Sequence, residues 1–337
     1  MGTKVLSSTK LRLFFLVGAF VSLVFLVMRV IVRPQSDDLE AYPEDPATDY
    51  EMAMARLAQV NAQEAAIAGL NPVCHTTAIT HGYKTERVII LMHGMTNCPA
   101  QFVEIAPLFY ERGYNVLIPL MPDNGLSDLE TDALKEVTAD QLRDCCASMV
   151  DIAHGLGEKI TYLGLSVGGT MAAWVAQYRS DVDLAVLLAP SFTISRKLGV
   201  TASRVVLHLF SIMPNLMTQR FRPFRGALGH NYHGFATWGL GQMMRLGLSV
   251  YDASKTIKPA ARSVLLVTNA SDTAVNNTLA RKVIQRWQAN GMDQITTYEF
   301  DAKYHLIHDM IDPMQEDQQT ALVYPILLDF ITSERAG

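Results

Sequence analysis

From residue 74 to the C-terminus, short apolar runs of strand length alternate with longer segments that have helical periodicity. Continuous runs of Val, Ile and Leu are typical of strands in a parallel sheet that helices cover on both faces. The predicted strands are residues 87–92, 115–120, 159–165, 183–190, 263–269 and 294–300. The predicted helices are residues 100–113, 134–156, 168–179, 276–290 and 315–332. The pattern therefore predicts an α/β fold with a mostly parallel sheet.

The alternation stops between residues 191 and 259, which are rich in Met, Arg and aromatic residues and have helical character. This stretch is too long for a loop, so we interpret it as a helical cap inserted into a core formed by residues 74–190 and 260–337. Its basic residues include Arg196, Lys197, Arg204, Arg220, Arg222 and Arg225. Two interpretations stay open: a lid that faces a membrane or binds acyl chains, and an amphipathic cap with a solvated basic face.

The N-terminal region is apolar from residue 13 to residue 28, interrupted only by Ser22, and continues past Arg29 to residue 32. About 20 such residues form a helix of about 30 Å, which spans a bilayer. We therefore predict a membrane anchor over residues 1–33. The alternatives are a cleaved signal peptide, which would need a shorter apolar region and a small-x-small site, and a buried helix.

Basic residues flank the apolar run on both sides: Lys4, Lys10 and Arg12 before it, Arg29 and Arg33 after it. The small excess before the run favours a cytoplasmic N-terminus. We predict a single-pass protein of the bacterial inner membrane with its large domain in the periplasm. Residues 34–73 are predicted to be an acidic, Pro-rich, solvated linker followed by a helix over residues 51–69.

The most specific motif is Gly164-Leu165-Ser166-Val167-Gly168-Gly169, which follows a predicted strand and opens a predicted helix. In this context G-x-S-x-G indicates a nucleophile elbow, a strained turn that lifts the Ser hydroxyl above the sheet. Gly164 and Gly168 remove side chains that would clash across the turn. The alternative is an ordinary glycine-rich connection.

An elbow predicts an acid after a later strand and a His after the last strand, in the chain order Ser, acid, His. We expect Asp272 to be the acid and His305 to be the base. Asp301 is the rival acid, although it lies on the strand that delivers the His. His308, which has Asp309 beside it, is the rival base.

An oxyanion hole needs two preorganised N–H donors. The residue after the nucleophile, Val167, is expected to supply one from its backbone. The second is expected from the loop after the first predicted strand, which begins His93-Gly94-Met95, with the Met95 N–H as the donor. His93 is expected to shape this loop by packing and hydrogen bonding.

With these motifs in order, the chain resembles the α/β-hydrolases of the carboxylesterase and monoacylglycerol-lipase-like branch. The resemblance rests on HGMTNCP, NVLIPLMPDNG, GLSVGG, VTNASDTAV and YHLIHD, and covers about residue 74 to the C-terminus. The segment Pro122-Asp123-Asn124-Gly125 departs from the G-H-G of that branch and receives no catalytic role. The resemblance implies a Ser-His-Asp triad, a cap over the site, no metal and no organic cofactor.

The expected activity is hydrolysis of small carboxylic esters, with lipid-like esters among the candidates, through an acyl-enzyme. Other triad chemistry, such as that of a peptidase, an acyltransferase or a haloperoxidase-type enzyme, is the first alternative. A non-catalytic binding protein is the second. His230 and His233 have metal-like spacing without a third ligand, so no metal site is assigned. The oligomeric state is left open.

Net charge and composition disfavour two further classes of protein, nucleic-acid binders and disordered chains. The 28 basic against 33 acidic residues, a net charge of −5, disfavour nucleic acid as a partner. With 18% charged and 49% hydrophobic residues, the chain is not disordered.

The chain has four cysteines. Cys145 and Cys146 are adjacent on a predicted helix, which makes them poor partners for each other. Cys74 and Cys98 flank the first buried strand, and we consider them a candidate disulfide if the domain lies outside the cytoplasm. The alternative is two free thiols. Asn269 begins a glycosylation sequon beside Asp272, where a glycan would obstruct the site, and this favours a bacterial periplasm over an ER lumen.

Overall fold

The computed structural model describes residues 17–18, 22, 39–40, 42–218 and 229–333. Most of the predicted membrane anchor, residues 1–33, lies outside these residues, as do Arg220, Arg222 and Arg225 of the cap. Within the described part of the chain, no helix combines the length and the apolar character needed to cross a membrane.

The core is a seven-stranded sheet with the order β1-β3-β2-β4-β5-β8-β9. All neighbouring strands are parallel except β1, which pairs antiparallel with β3 at the edge. The strands are β1 Thr77–Ile79, β2 Thr85–Met92, β3 Tyr114–Ile118, β4 Gly157–Leu165, β5 Leu184–Leu188, β8 Ser263–Asn269 and β9 Ile295–Phe300. A further pair, β6 Met217–Thr218 and β7 Phe235–Ala236, lies in the cap. The predicted parallel sheet is present, and β1 is an addition that the sequence pattern did not predict.

Helices cover both faces of this sheet. The helices are α1 Tyr50–Ala65, α2 Ile105–Tyr110, α3 Ala139–Leu156, α4 Val167–Tyr178, α5 Val200–Ile212, α6 Thr237–Ala253, α7 Asn277–Ala289 and α8 Thr320–Thr332. Alternate residues of β2 enter two separate cores: Val88 and Ile90 join α3, α4 and α7, whereas Ile89 and Leu91 join α2 and α8. Burial on both faces explains why β2 reads as a continuous apolar run.

Several predicted helices are shorter than the pattern suggested: the one over residues 51–69 ends at Ala65, and the one over residues 134–156 begins at Ala139. The segment predicted over residues 100–113 is a 3₁₀ turn, Pro99–Phe102, followed by the short helix α2. The final helix begins at Thr320 instead of residue 315. The residues before it, 308–319, form loops that contribute to the site described below.

The segment before α1 packs onto the domain. Leu39 and Ala47 are buried. The Leu39 carbonyl accepts a hydrogen bond from Trp174 Nε1 (2.7 Å), and the Ala47 N–H donates to the carbonyl of Asp151 (2.8 Å). At these positions the chain is therefore not the solvated linker that its acidic composition predicted.

The insertion over residues 191–259 contains α5 and α6. Helix α6 packs on α4, while the end of α5 and the chain that follows leave several large apolar side chains in solvent. Of the predicted basic residues, Arg204 pairs with Asp252 on α6, with the closest N–O distance at 2.5 Å. Arg196 lies 3.5 Å from the carbonyl of Asp272. Arg204 therefore binds within the domain, whereas Arg196 and Lys197 are exposed.

Candidate active site

Ser166 lies between β4 and α4 with φ = 59° and ψ = −113°. This left-handed conformation is strained for a residue with a side chain, and it persists because the turn is packed tightly. A Cβ added to Gly164 would lie 2.0 Å from the Gly168 carbonyl oxygen, and one added to Gly168 would lie 2.3 Å from the Met92 carbonyl oxygen. The glycines are thus required by contact, and the turn has the geometry of a nucleophile elbow.

Asp272 lies in the loop after β8, and its side chain is buried. Its Oδ2 atom lies 2.7 Å from Nδ1 of His308, while its Oδ1 atom accepts hydrogen bonds from the N–H groups of Ala274 (2.8 Å) and Val275 (3.3 Å). The acid is therefore held from both sides, and its partner is a histidine of the loop after β9.

The partner of Asp272 is not His305, which we had expected to be the base. His305 ends the 3₁₀ turn Ala302–Tyr304 with φ = 48°, and it is exposed. The histidine that binds Asp272 is His308, three residues further along the chain. Asp301, the rival acid, is also exposed and binds the N–H of Lys303.

Asp272 and His308 each shift the pKa of the other in the direction that favours its charged form. Burial alone raises the pKa of Asp272, but the hydrogen bond and charge of His308, with the two backbone N–H groups, outweigh it and lower that pKa below its ordinary value. Burial alone lowers the pKa of His308, but the bond to Asp272 and the charges of Asp272 and Asp309 raise it overall. With Nδ1 bound to Asp272, Nε2 is the ring nitrogen left for a further partner.

Asn269, at the end of β8, fixes the loop that carries His308. Its Nδ2 atom donates to the carbonyls of Leu306 (2.8 Å) and Ile307 (3.2 Å). The side chain is fully buried, so the sequon that begins here is inaccessible to a glycosyltransferase once the chain has folded.

Two backbone N–H groups at this site are left without an acceptor. Among the described residues, none accepts a hydrogen bond from the N–H of Met95 or of Val167. Both residues line the same cavity as Ser166, and a Cβ added to Gly94 would lie 3.7 Å from the Ser166 Cβ. These donors lie where an oxyanion hole is expected.

The Met95 N–H belongs to a firmly held peptide. The carbonyl of Gly94, in the same planar unit, accepts hydrogen bonds from His93 Nδ1 (2.7 Å) and from the Asn97 N–H (3.0 Å). Because the peptide is planar, fixing the direction of the Gly94 carbonyl also fixes that of the Met95 N–H.

His93 has the shaping role that the sequence suggested. The ring is fully buried, Nδ1 donates to Gly94, and Nε2 accepts from the Met121 N–H (2.9 Å). Burial lowers the pKa of His93 to about 4, so the ring is neutral near pH 7. The two bonds select the tautomer with its proton on Nδ1.

A buried polar cluster adjoins the site. Asp309 accepts hydrogen bonds from the amide nitrogens of Gln101 (2.8 Å), Asn97 (3.1 Å) and Gln315 (3.0 Å). Asn97 also donates to Asp312 (3.0 Å). No sequence motif marks these residues, because their amide and carboxyl groups lie far apart in the chain and meet only in the folded protein.

Cys74 and Cys98 are joined in a disulfide, with their Cα atoms 5.3 Å apart. The bond connects the segment before β1 to the residue that follows Asn97, in the loop of Met95. Cys145 is partly buried and Cys146 is buried, and both are free thiols.

A cavity of about 1010 Å³ lies above Ser166, between the core loops and the cap. Its wall includes Val167 and His308 from the core and apolar side chains from the cap, namely Ile194, Phe210, Phe235, Leu240 and Met243. The site therefore offers space for a substrate with a sizeable apolar part.

The two spaced histidines of the cap have other partners. His230 Nε2 lies 3.2 Å from Asp312 Oδ2, and His233 Nδ1 lies 2.8 Å from Glu130 Oε1. Within the described residues, no group of three or more His, Cys, Asp or Glu is arranged to hold a metal ion.

Comparisons with known proteins agree with this architecture. Residues 87–237 match the family described as the alpha/beta hydrolase fold. A comparison with curated proteins found no match. The chain therefore has the alpha/beta hydrolase fold.

Several solved structures share this fold. One was reported for LipS and LipT, two metagenome-derived lipolytic enzymes, with 16% identity, a TM-score of 0.59, and coverage of 78% of this chain and 98% of that one. The monoacylglycerol lipase of Paleococcus ferrophilus has 16% identity, a TM-score of 0.58, and coverage of 76% and 97%. Est1E of Butyrivibrio proteoclasticus, with ferulic acid bound, has 16% identity, a TM-score of 0.52, and coverage of 78% and 96%.

Proposed function

We propose that this protein is a serine hydrolase of carboxylic esters, with Ser166 as nucleophile, His308 as base and Asp272 as orienting acid. The observation that carries the proposal is that the strained Ser166 and His308 line one cavity, beside two N–H groups without acceptors, and that Asp272 binds His308 from behind. The lipolytic enzymes and the monoacylglycerol lipase of the same fold support it.

The reaction follows from these positions. His308 Nε2 takes the hydroxyl proton as Ser166 Oγ attacks the ester carbonyl, and Asp272 stabilises the resulting imidazolium. The N–H groups of Met95 and Val167 bind the oxyanion, and each such donor contributes about 10²–10³ in rate. His308 then returns the proton to the leaving alcohol. Water, activated by the same ring, releases the acid from Ser166.

The cavity supports an ester with a bulky apolar part. Its cap wall presents aromatic and aliphatic side chains, among them Phe210 and Leu240, and these gain free energy by excluding water from an acyl chain or an aromatic group. We therefore expect longer or aromatic acyl esters to react with a higher kcat/KM than acetyl esters.

A fluorophosphonate probe and an ester series test this function. Wild-type protein should be labelled covalently, and Ser166→Ala should not. On p-nitrophenyl esters from acetate to decanoate, kcat/KM should rise with acyl length before it levels off. Absence of labelling in folded wild-type protein would contradict the proposal, and preferential cleavage of aminoacyl anilides would favour a peptidase.

We also propose that residues 13–32 anchor the chain in the bacterial inner membrane, with the hydrolase domain in the periplasm. The apolar run is long enough to span a bilayer, and the Cys74–Cys98 bond suits an oxidising compartment. Leu39 is buried against Trp174, so the connection from residue 33 reaches at most about 20 Å even when extended. The domain would therefore lie close to the bilayer.

A C-terminal fusion to a reporter that is active only in the periplasm tests this topology. The fusion should be active and should sediment with membranes. Deletion of residues 2–33 should release the domain from the membrane fraction. Activity of a cytoplasmic reporter alone would overturn the proposed orientation.

A further inference from the structure

Gln101 lies in the 3₁₀ turn after the loop of Met95 and is 1% exposed. Both ends of its amide are used. Oε1 accepts the Gly94 N–H (3.1 Å), and Nε2 donates to Oδ1 of Asp309 (2.8 Å). Gly94 precedes Met95, and Asp309 follows His308, so one side chain connects the oxyanion donor to the base.

Asp309, which accepts the hydrogen bond from Gln101, lies in surroundings that disfavour a charged carboxylate. Burial and the neighbouring Asp312 raise the pKa of Asp309 to about 6. The titratable groups that face it are Asp312, His308 and Tyr324. A half-buried carboxylate that binds three amide donors costs stability, and such costs are typical of functional sites.

We propose that Gln101 and Asp309 act as positioning residues that hold the Met95 N–H and His308 in register with Ser166. The inference rests on the proposed ester hydrolysis. Gln101 holds the N–H of Gly94, while His93 and Asn97 hold its carbonyl, so the residue that precedes the oxyanion donor is fixed on both sides. Asp309 joins this assembly to the loop of the base.

The consequence is an effect on the transition state. The oxyanion exists only after attack, so a displaced Met95 N–H lowers kcat and leaves substrate binding nearly unchanged. A displacement of about 1 Å at such a site costs about 100-fold in rate. A purely structural role for Gln101 would instead lower the fraction of folded protein without changing kcat per active site.

Gln315 offers a matched control. Its Nε2 atom also donates to Asp309 (3.0 Å), but no hydrogen bond in the described structure links its side chain to Gly94. The variants Gln101→Met and Gln315→Met each remove one amide donor from the same carboxylate. Only the first also frees the Gly94 N–H.

The experiment measures kcat and KM per active site, counted by titration with the fluorophosphonate. Gln101→Met should lower kcat about 30- to 100-fold with KM within about 3-fold of wild type. The loss of kcat in Gln315→Met should be at least 10-fold smaller than the loss in Gln101→Met. Equal kcat per active site in the two variants would overturn the inference while leaving the proposed function intact. Inactive wild-type protein would refute the proposed function, and this inference with it.

Gln101→Glu gives a second test that preserves the shape of the side chain. A protonated Glu at position 101 accepts from Gly94 and donates to Asp309 as Gln101 does, whereas two ionised carboxylates repel each other. Activity of this variant should therefore fall as pH rises, giving a basic limb that wild type lacks. A profile parallel to that of wild type would overturn the inference even if Gln101→Met does not fold.

Discussion

The core loops and the cap border the same cavity but are built differently. Around Ser166, the loops are fixed by a disulfide, by the Asp272–His308 pair and by the amides around Asp309. The cap contributes apolar wall, and it leaves Ile212 66% and Leu216 54% exposed. Catalytic atoms must be placed within a fraction of an ångström, whereas an apolar wall needs only shape and area.

The glycines of the two regions differ in the same way. Gly168 in the elbow touches backbone that cannot move, whereas the nearest neighbours of a Cβ added to Gly241 in α6 would be the side chains of Phe210 (3.4 Å) and Leu207 (3.6 Å). The elbow therefore excludes a side chain at position 168, and position 241 of the cap has room for a methyl group. The predictions below test this contrast.

The strongest test compares the two histidines of the loop after β9. His308→Ala should lower kcat/KM about 10⁴- to 10⁶-fold, because it removes the histidine that Asp272 binds and that we propose as the base. His305→Ala should retain most activity, since His305 is exposed and separate from Asp272. Steady-state hydrolysis of a p-nitrophenyl ester measures both. An inactive His305→Ala beside an active His308→Ala would reverse the assignment.

The second test compares the glycines. Gly168→Ala places a methyl group 2.3 Å from the Met92 carbonyl oxygen, so the free energy of unfolding should fall by about 2–4 kcal/mol. The matched change Gly241→Ala should raise it by about 0.5–1 kcal/mol, because Ala favours helix and has room here. Urea unfolding followed by circular dichroism gives both values. Equal losses would show that the cap is as restrictive as the elbow.

The third test removes the covalent constraint of the oxyanion loop. The disulfide closes a loop with a sequence separation of 24, for which chain entropy gives about 3 kcal/mol. Reductant should lower the free energy of unfolding by about that amount in wild type, and it should have no effect on the double variant Cys74→Ala/Cys98→Ala. Burial raises the pKa of Cys145 to about 12, so its thiol should not exchange with the bond.

If reductant also lowered the free energy of unfolding of the double variant, the loss would not come from the Cys74–Cys98 bond. If wild type does not respond, the bond contributes no stability in solution. Peptide mapping under non-reducing conditions identifies the linked cysteines directly.

The smallest expected effect is a shift in pH dependence. His308 must be neutral to act as base, and its pKa is raised above the ordinary value of 6.5, chiefly by Asp272 acting against burial. The logarithm of kcat/KM should therefore fall as pH falls, with a midpoint above 6.5. The same shift has the opposite sign for stability, since a raised pKa stabilises the fold at low pH and this contribution is lost as pH rises.

The cap provides the control for this profile. His208→Gln on α5 should leave the midpoint unchanged, because the groups that raise the pKa of His308 belong to the core loops. A midpoint below 6.5 in wild type would contradict the proposed coupling to Asp272.

Much of the fold follows from local sequence. The apolar runs predict six of the strands, because burial on both faces of a parallel sheet leaves a continuous hydrophobic signature. The short edge strand β1, at half-buried positions, has no such signature. The predicted linker was wrong at Leu39 and Ala47, because two apolar side chains among acidic residues sufficed to bind the core.

The candidate site likewise has one part that the sequence predicts and another that depends on how the chain folds. Ser166 and its glycines form a contiguous motif, so the strained turn, the expected chain order Ser, acid, His and the loop that begins at His93 could be predicted from the sequence. The tertiary structure paired Asp272 with His308 instead of His305, because the pairing depends on where a 3₁₀ turn ends and how the following loop packs. It alone also brought together Gln101 and Asp309, 208 residues apart, because their contact depends on strand order and loop packing and leaves no local pattern in the chain.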